Sequence, residues 1–441
     1  METLLPTDRR PTSRAEAIAA ATPLDRDRYV DLLRAASIGV VVLGHWLMAA
    51  VRSEDGHLVG DNALVTLRPL QLLTWVLQVM PVFFLVGGFS NAVGWRSARR
   101  HGTTYGAWVG ARTQRLLAPT SVFVGAWALV SVGARLGGVD AGTLATAGRL
   151  VALPLWFLAV YLMVVALAPA MLALHERFGL RVLAVLIVAT AVVDIARYRF
   201  GVPVVGWLNF AFVWLTAHQL GFAWRDGMLT RTRRRPVALA SLGMGALVVL
   251  TTAFSYPLSM VGGPGAGRTN NSPPSLALVA LALFQCGLVL LVAGPARRWL
   301  GRPKVWASVV AANGMAMTLY LWHLTALVIV AVVAVRPGWL PQPNIGTGGW
   351  WASRLLWIAA LLMMLAPIVA VLARFERPRA PHSVANGTAR AVTGTALAAT
   401  SMSLLALRGF VVPGRPMVIP AIALGAGLMA RSLVGHRAGT S

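Results

Sequence analysis

Long runs of uncharged, apolar residues, separated by short polar or arginine-rich segments, recur along almost the whole chain. Many of these runs reach about 20 residues, the length at which an α-helix crosses the hydrocarbon core of a bilayer. The runs do not alternate between apolar and polar positions, as the strands of a membrane β-barrel would. The pattern predicts about twelve membrane-spanning helices, near residues 31–51, 70–93, 117–136, 151–174, 182–196, 204–224, 237–256, 275–293, 307–335, 350–373, 391–407 and 412–430.

The same pattern predicts an all-α polytopic membrane protein with about ten core helices and a C-terminal helical hairpin. Residues 1–28 form a polar tail without the apolar stretch of a cleavable signal peptide. The main membrane domain is expected to cover residues 29–375, followed by a linker at 376–390. The hairpin and tail, residues 391–441, are rich in small residues, and little function is expected of them.

The distribution of charge supports a membrane protein and predicts its orientation in the bilayer. Hydrophobic residues make up 57% of the chain and charged residues 12%, with a formal net charge of +25. Lys and Arg fall mainly in the segments that share one side with the N-terminus, which the positive-inside rule places in the cytoplasm. The basic residues are scattered among loops rather than forming one face, so nucleic-acid binding is not expected. We expect a multi-pass protein of a plasma membrane, and the composition suggests a bacterial one.

Three long loops are expected on the outer side, Arg52–Pro69, Pro257–Pro274 and Arg336–Gly349. The second is too rich in Gly and Pro to hold a helix or a strand. Such loops could cover a substrate or simply connect two helices. The single cysteine, Cys286, excludes an intramolecular disulfide and a cysteine-based metal site, and an apolar core position is expected for it.

The candidate chemistry begins in the first span, which carries Asp31, Arg34 and His45. Eleven helical steps at about 100° return almost to the starting angle, so Arg34 and His45 share a face about 16 Å apart along the axis. Asp31 lies one turn before Arg34 on nearly the same stripe. Ionisable groups inside a membrane span are costly and usually face a polar cavity.

Five motifs follow one another along the chain in a recognisable order. They are D-x-x-R-x10-H from Asp31 to His45, the F-F-x-x-G-G-F-S run Phe83–Ser90, R-x-x-R-x-x-x-P from Arg112 to Pro119, L-W-F-L at Leu155–Leu158, and Y-L-W-H at Tyr320–His323 with Asn313 and Gly314 before it. With these motifs the chain resembles acyltransferase family 3, the integral-membrane acyltransferases that modify sugars and related hydroxyl acceptors, over roughly residues 26–373.

The resemblance implies that His45 is the catalytic base. An alcohol that attacks a thioester must lose its proton, and imidazole has a suitable pKa. A buried histidine that only joins helices is the alternative. Arg34 is expected to hold an anionic part of the donor and Asp31 to orient it, although the two residues can also form a purely structural ion pair.

Donor binding is the role expected of Arg112 and Arg115, because guanidinium groups suit the phosphates of coenzyme A. Membrane anchoring explains the two arginines equally well. Gly88 and Ser90 are further candidates for donor binding. The Gly87–Gly88 pair would admit a ligand, or equally a neighbouring helix.

The last motif adds Asn313, Tyr320 and His323 as candidate substrate-binding residues. A hydrogen-bonded structural role for His323 is the favoured interpretation. One departure from the family is clear, because many relatives carry an acidic residue shortly after the L-W motif and this chain has none there. No metal motif is present.

The sequence thus predicts transfer of an acyl group, most simply acetyl, from acyl-CoA to a hydroxyl of a carbohydrate or glycosylated acceptor. No tightly bound cofactor is expected, since acyl-CoA acts as a substrate. The bilayer, acyl-CoA and the acceptor are the expected partners. A transporter or flippase that uses Arg34 and His45 for substrate or proton binding is the rival interpretation, and an inactive scaffold is a weaker one.

Overall fold

The computed structural model describes residues 13–23, 26–54, 57–262, 268–376 and 387–411 of the chain. Its α-helices are α1 (Arg14–Ala20), α2 (Arg28–Met48), α3 (Ala63–Thr66), α4 (Thr74–Leu77), α5 (Met80–Arg100), α6 (Tyr105–Leu136), α7 (Ala141–Ala152), α8 (Leu155–Phe178), α9 (Arg181–Arg199), α10 (Asn209–Arg225), α11 (Arg234–Ala253), α12 (Leu276–Trp299), α13 (Pro303–Gly314), α14 (Ala316–Val330), α15 (Gly348–Leu372) and α16 (Thr388–Arg408). Shorter 3-10 turns lie at Arg68–Leu73, Pro203–Leu208 and Ala373–Glu376, and a π-helical turn lies at Ala331–Val335.

The expectation of an all-α polytopic membrane protein is confirmed. Within the described residues, 9 helical segments are long and apolar enough to cross a membrane. The spans predicted at 182–196 and 204–224 are also helical, as α9 and α10. α10 has only 17 residues, and α9 carries Asp194 and several arginines. The span predicted at 412–430 lies outside the described residues.

The span predicted at 307–335 is broken in two. α13 ends at Gly314, and Met315 leaves the helical region with φ −119° and ψ 5°. The carboxylate of Glu376 accepts hydrogen bonds from the backbone N–H groups of Met317 and Thr318. In a continuous helix those two N–H groups would bond to the carbonyls of Asn313 and Gly314. A side-chain cap and a glycine therefore replace one turn of helix.

A small β-hairpin follows α2, in a segment expected to be loop. Strand β1 (Ala49–Glu54) pairs antiparallel with β2 (His57–Asn62). Asn62 then begins α3, where its side chain accepts a hydrogen bond from the N–H of Leu64. The hairpin marks one end of the bundle. We call this the Arg354 end, because Arg354 near the start of α15 contacts Ala49 there, and we call the end at which α2 begins the Arg34 end.

The aromatic residues of the sequence motifs pack against one another in the core. Phe84 of α5 stacks on Trp214 of α10 with ring centroids 4.7 Å apart. Phe83 and Phe157 meet edge to face at 5.0 Å. These contacts join α5, α8 and α10 into one layer, so two of the five motifs serve largely to build the core. Cys286 is buried in α12, which confirms the core position expected for it.

The first arm of the C-terminal segment belongs to the bundle. α16 packs on α6 and α8, and Thr113 and Thr395 share a hydrogen bond of 2.8 Å. The buried residues of α16 form a stripe with helical spacing, Ala391, Gly394, Thr395, Ala398, Ser401, Met402 and Leu405. Small residues in such a stripe let membrane helices approach closely.

Candidate active site

Helix α2 carries the first group of candidate residues and is unbroken from Arg28 to Met48. It begins at Asp27, whose side chain accepts a hydrogen bond from the N–H of Tyr29. Because no kink interrupts the helix, the eleven-residue spacing keeps Arg34 and His45 on one face, about 16 Å apart along the axis. Both residues are half-buried.

His45 and His323 form a close pair, although 278 residues separate them in sequence. His45 Nδ1 lies 2.8 Å from His323 Nε2. The two rings are nearly parallel, with an interplanar angle of 8°. His323 is fully buried, and its Nδ1 lies 2.7 Å from the carbonyl oxygen of Tyr320. Trp46 fixes the same turn of α14 by donating its indole N–H to the carbonyl oxygen of His323 at 3.0 Å.

This chain of contacts determines which ring nitrogen carries each proton. A backbone carbonyl can only accept, so Nδ1 of His323 must hold the hydrogen that points at Tyr320. In neutral His323 the lone pair is then on Nε2, which accepts the Nδ1–H of His45. Neutral His45 is left with its own lone pair on Nε2. In this tautomer the lone pair on Nε2 of His45 can accept a proton.

Asp31 and Arg34 form an ion pair at the Arg34 end. Asp31 Oδ1 lies 3.2 Å from Nη1 of Arg34, and its Oδ2 accepts a hydrogen bond of 2.6 Å from Nε of Arg26. Arg34 also donates to the hydroxyl of Ser90 on α5 at 3.1 Å. Asn313 donates to the backbone carbonyl of Asp31 at 2.9 Å. Four residues that the sequence singled out are thus brought together here.

Two further guanidinium groups adjoin this ion pair. Arg112 lies over the ring of Trp108, 4.2 Å from its centroid. It is close enough to interact electrostatically with Arg34 and Arg115. Its Nε is buried without a hydrogen-bond partner among the described residues. Asp31 is shared by Arg26 and Arg34, and Glu376 lies within electrostatic range of Arg115. Arg112 has no carboxylate partner among the described residues, so it leaves positive charge for an anionic ligand.

Gly88 lies in a helix contact. A Cβ built on Gly88 would stand 2.0 Å from the carbonyl oxygen of His218 on α10. Gly221 faces the same crossing, where its Cβ would lie 2.1 Å from the carbonyl of Leu85. This close approach accounts for Gly88 by helix packing, the alternative left open for the Gly87–Gly88 pair. A role for Gly88 in donor binding stays a prediction.

Tyr320 makes two hydrogen bonds that hold neighbouring elements in place, one through its hydroxyl and one through its backbone carbonyl. The Tyr320 hydroxyl donates to the carbonyl of Pro154 at 2.9 Å, which ties α14 to the start of α8. Its carbonyl oxygen holds His323. The site thus uses Tyr320 to fix the orientation of a neighbouring ring.

Sequence reasoning missed several polar groups of the interior. His218 is fully buried, and Asn91 lies 3.1 Å from its Nε2. Arg354 is buried beside Ala49, at the end of α2 that carries His45. Glu376 caps α14. The unusual occurrence of Arg354 inside an apolar run was the only signal for it, and no motif surrounds it.

Comparison with known proteins finds one match, to a protein family. The family model described as an acyltransferase domain matches residues 27–373. No curated protein and no solved structure matches the chain. The matched range includes every site residue that the sequence singled out, from Asp31 on α2 to His323 on α14. The match covers most of the 441 residues, and the chain belongs to acyltransferase family 3, as a membrane-embedded acyltransferase.

Proposed function

We propose that this protein transfers an acyl group, most simply acetyl, from acyl-CoA to a hydroxyl of a carbohydrate or glycosylated acceptor. His45 is the general base. The observation that carries the proposal is the relay from the carbonyl of Tyr320 through His323 to His45, with 2.7 Å and 2.8 Å contacts. It leaves the lone pair of His45 on Nε2, the nitrogen not used by the relay.

The reaction requires one proton to move twice. Nε2 of His45 takes the proton of the acceptor hydroxyl as its oxygen attacks the thioester carbonyl carbon. The carbon–sulfur bond then breaks, and the protonated His45 returns the proton to the departing thiolate. An ester and free coenzyme A are the products. The relay supports the protonated intermediate state, because His323 can accept the Nδ1–H of His45 throughout.

The arginines at the Arg34 end supply a site for the donor. Arg112 presents an unpartnered Nε, and Arg34 is held in place by Asp31 and Ser90. Guanidinium groups bind phosphate with two parallel hydrogen bonds. The phosphates of coenzyme A would lie at this end while the pantetheine arm runs along α2 toward His45. The 16 Å between Arg34 and His45 suits a donor whose charged and reactive ends are separated by a long arm.

This assignment also orients the protein. Acyl-CoA is a cytoplasmic metabolite, so the Arg34 end faces the cytoplasm. The basic clusters Arg96–Arg100 and Arg231–Arg235 lie at the ends of α5 and α10–α11 that share this side, which agrees with the positive-inside rule. The Arg354 end then faces away from the cytoplasm of what we propose is a bacterial cell.

Release of free coenzyme A tests the proposal. Membranes that contain the wild-type chain, His45→Ala or His101→Ala are supplied with acetyl-CoA and the glycans of the host envelope. His101 is the matched control, since it is exposed at the end of α5 and bonds only locally to Ser97. We expect His45→Ala to lower the rate by about 10²- to 10⁴-fold, the usual contribution of a general base.

His101→Ala should release coenzyme A at the wild-type rate. Equal protein levels in the membrane, measured by immunoblot, ensure that the comparison concerns catalysis. A His45→Ala protein that releases coenzyme A as fast as the wild type would overturn the role of His45.

A further inference from the structure

Arg354 is a buried cation at the opposite end of α2 from Arg34. Its side chain lies between two indole rings, 4.7 Å from the centroid of Trp350 and 5.4 Å from that of Trp357. It is only 4% exposed. Its Nη1 donates to the carbonyl of Ala49 at 3.2 Å, and its Nη2 donates to Oε1 of Gln342.

No carboxylate neutralises this guanidinium among the residues that the structure describes. The partners of Arg354 are a backbone carbonyl, an amide oxygen and, at 3.5 Å, the hydroxyl of Ser353. A buried charge is costly unless it is paired and hydrogen-bonded. The ion pair between Arg52 and Glu54 in the β-hairpin does not involve Arg354. The charge of Arg354 therefore has no carboxylate partner among the described residues.

Three buried N–H groups here also lack partners within the described part of the chain. They are Nε of Arg354, Nε2 of Gln342 and Nε1 of Trp350. All three groups are donors that cannot accept. An oxyanion is the complementary ligand, since it only accepts, and it would supply the missing negative charge as well.

This cluster is directly connected to the histidine pair. The N–H of Ala49 bonds to the carbonyl of His45, so the carbonyl held by Arg354 lies one helical turn beyond the base. The indole N–H of Trp357 donates to the carbonyl of Trp46 at 2.8 Å. Ala49 lies about 6 Å along the helix axis beyond His45, so Arg354 contacts the backbone one turn past the base.

We propose that Arg354, Gln342 and Trp350 form a subsite for an oxyanion, a carboxylate or a phosphate, carried by the hydroxyl acceptor. The inference rests on the proposed function, because it takes the acceptor to approach His45 from the Arg354 end. The acceptor class becomes an acidic or phosphorylated saccharide. Gln342, which lies in the segment between α14 and α15, bonds to Arg354 in the absence of that ligand.

Binding is measured without any donor, by the thermal unfolding of the purified full chain in detergent. The probes are glucuronate, glucose 1-phosphate and neutral glucose, each in buffer of the same ionic strength. A ligand that binds the folded state raises the melting temperature. We expect at least one anionic probe to raise it and glucose to leave it unchanged. The probe with the larger shift identifies whether the site prefers a carboxylate or a phosphate.

Variants at position 342 test whether the anionic probes bind beside Arg354. Gln342→Glu places a carboxylate against Arg354 without changing the size of the side chain, so the protein should stay folded while the response to the anionic probe disappears. Gln342→Ala removes one of the three donors but adds no negative charge, so it should weaken the response to the anionic probe without abolishing it. Arg199→Gln removes an exposed arginine at the same end and should keep the full response, which separates the subsite from the general attraction of a basic protein.

Equal shifts with glucose and with both anions in the wild type would overturn the proposal, whatever the variants do. So would an undiminished response in Gln342→Glu. Because no acyl donor is present, the outcome is independent of the test of His45. Loss of coenzyme A release in His45→Ala together with no anion response would reject the subsite alone.

Discussion

His45 Nδ1 lies 2.8 Å from His323 Nε2, and the planes of the two imidazole rings are nearly parallel. The contact joins α2 to α14 and links two residues from opposite ends of the family's motif order. It also gives His323 a position from which it can act on catalysis without touching the substrate. His323 is a positioning residue in this account, because it acts through His45.

Substitution of His323 tests that role. His323→Leu removes the acceptor for the Nδ1–H of His45, while His323→Gln offers an amide oxygen in its place. We expect kcat to fall by about 10-fold or more in His323→Leu, with a smaller fall in His323→Gln. The KM for acetyl-CoA should change little in either variant. A purely structural role would give two variants whose activity follows only their folded fraction, measured by size-exclusion chromatography.

Arg112 provides a second prediction, directed at the donor. Arg112→Gln removes a guanidinium that we assign to a phosphate of coenzyme A, and a charged hydrogen bond contributes about 1.5–3 kcal/mol. The KM for acetyl-CoA should therefore rise by about 10- to 100-fold. A thioester of the same acetyl group that lacks the phosphates, S-acetyl-N-acetylcysteamine, should be used equally well by wild type and variant. Equal losses with both donors would place the role of Arg112 elsewhere.

The control for this prediction is Arg99→Gln. Arg99 is an exposed arginine that pairs with Glu176 at 3.4 Å. Its removal changes the charge of the protein by the same amount. We expect the KM for acetyl-CoA to stay at the wild-type value in this variant.

The crossing of α5 and α10 provides a prediction about stability. Gly88→Ala would place a Cβ 2.0 Å from a backbone oxygen of His218, which cannot move as a flexible side chain could. Overpacking of this kind costs about 1–3 kcal/mol. Gly245→Ala on α11 is the matched control, because a Cβ there meets nothing within 4 Å. Thermal unfolding in detergent should show a lower melting temperature for Gly88→Ala alone.

A pH dependence is expected from Asp226, which follows α10. Arg96 donates to both carboxylate oxygens of Asp226, at 2.5 and 2.9 Å, and holds the pKa of Asp226 below its usual value of 3.8. A pKa that is lower in the folded than in the unfolded protein stabilises the folded state above the unfolded value, and this is lost as the pH falls through the folded value.

Asp226→Asn should therefore lower the melting temperature at pH 7, and the difference from wild type should shrink below pH 3.8. The exposed Glu54, whose pairing with Arg52 spans 3.4 Å, gives the control Glu54→Gln, for which we expect little change at either pH. A constant difference between wild type and Asp226→Asn across this range would show that the ion pair does not stabilise the fold.

Much of the helical architecture can be predicted from the sequence because each helix depends on the residues within its own segment. Apolar runs of sufficient length predict helices, and the spacing of Arg34 and His45 predicts a shared face as long as α2 is straight. The break between α13 and α14 is harder to predict from the sequence. Asn313-Gly314 weakens a helix, but the cap is supplied by Glu376, which lies 58 residues beyond Thr318.

The contacts between candidate residues could not be predicted from local patterns in the sequence. His323 and His45 meet because α14 packs on α2, and no period in the sequence encodes that contact. For this reason a structural role seemed the better interpretation of His323 from sequence alone. Arg354 stands in an apolar run without a motif, and its significance comes from the missing carboxylate and the unpartnered donors around it, which only the packed structure reveals.

A double-mutant cycle on His45 and His323 tests the central claim most directly. The rate of coenzyme A release from acetyl-CoA is measured for wild type, His45→Ala, His323→Leu and the double variant. If His323 acts only by holding His45, its removal costs nothing further once His45 is gone, so His45→Ala and the double variant should have the same residual rate. Losses that multiply in the double variant would show that the two histidines act independently, and would contradict the relay.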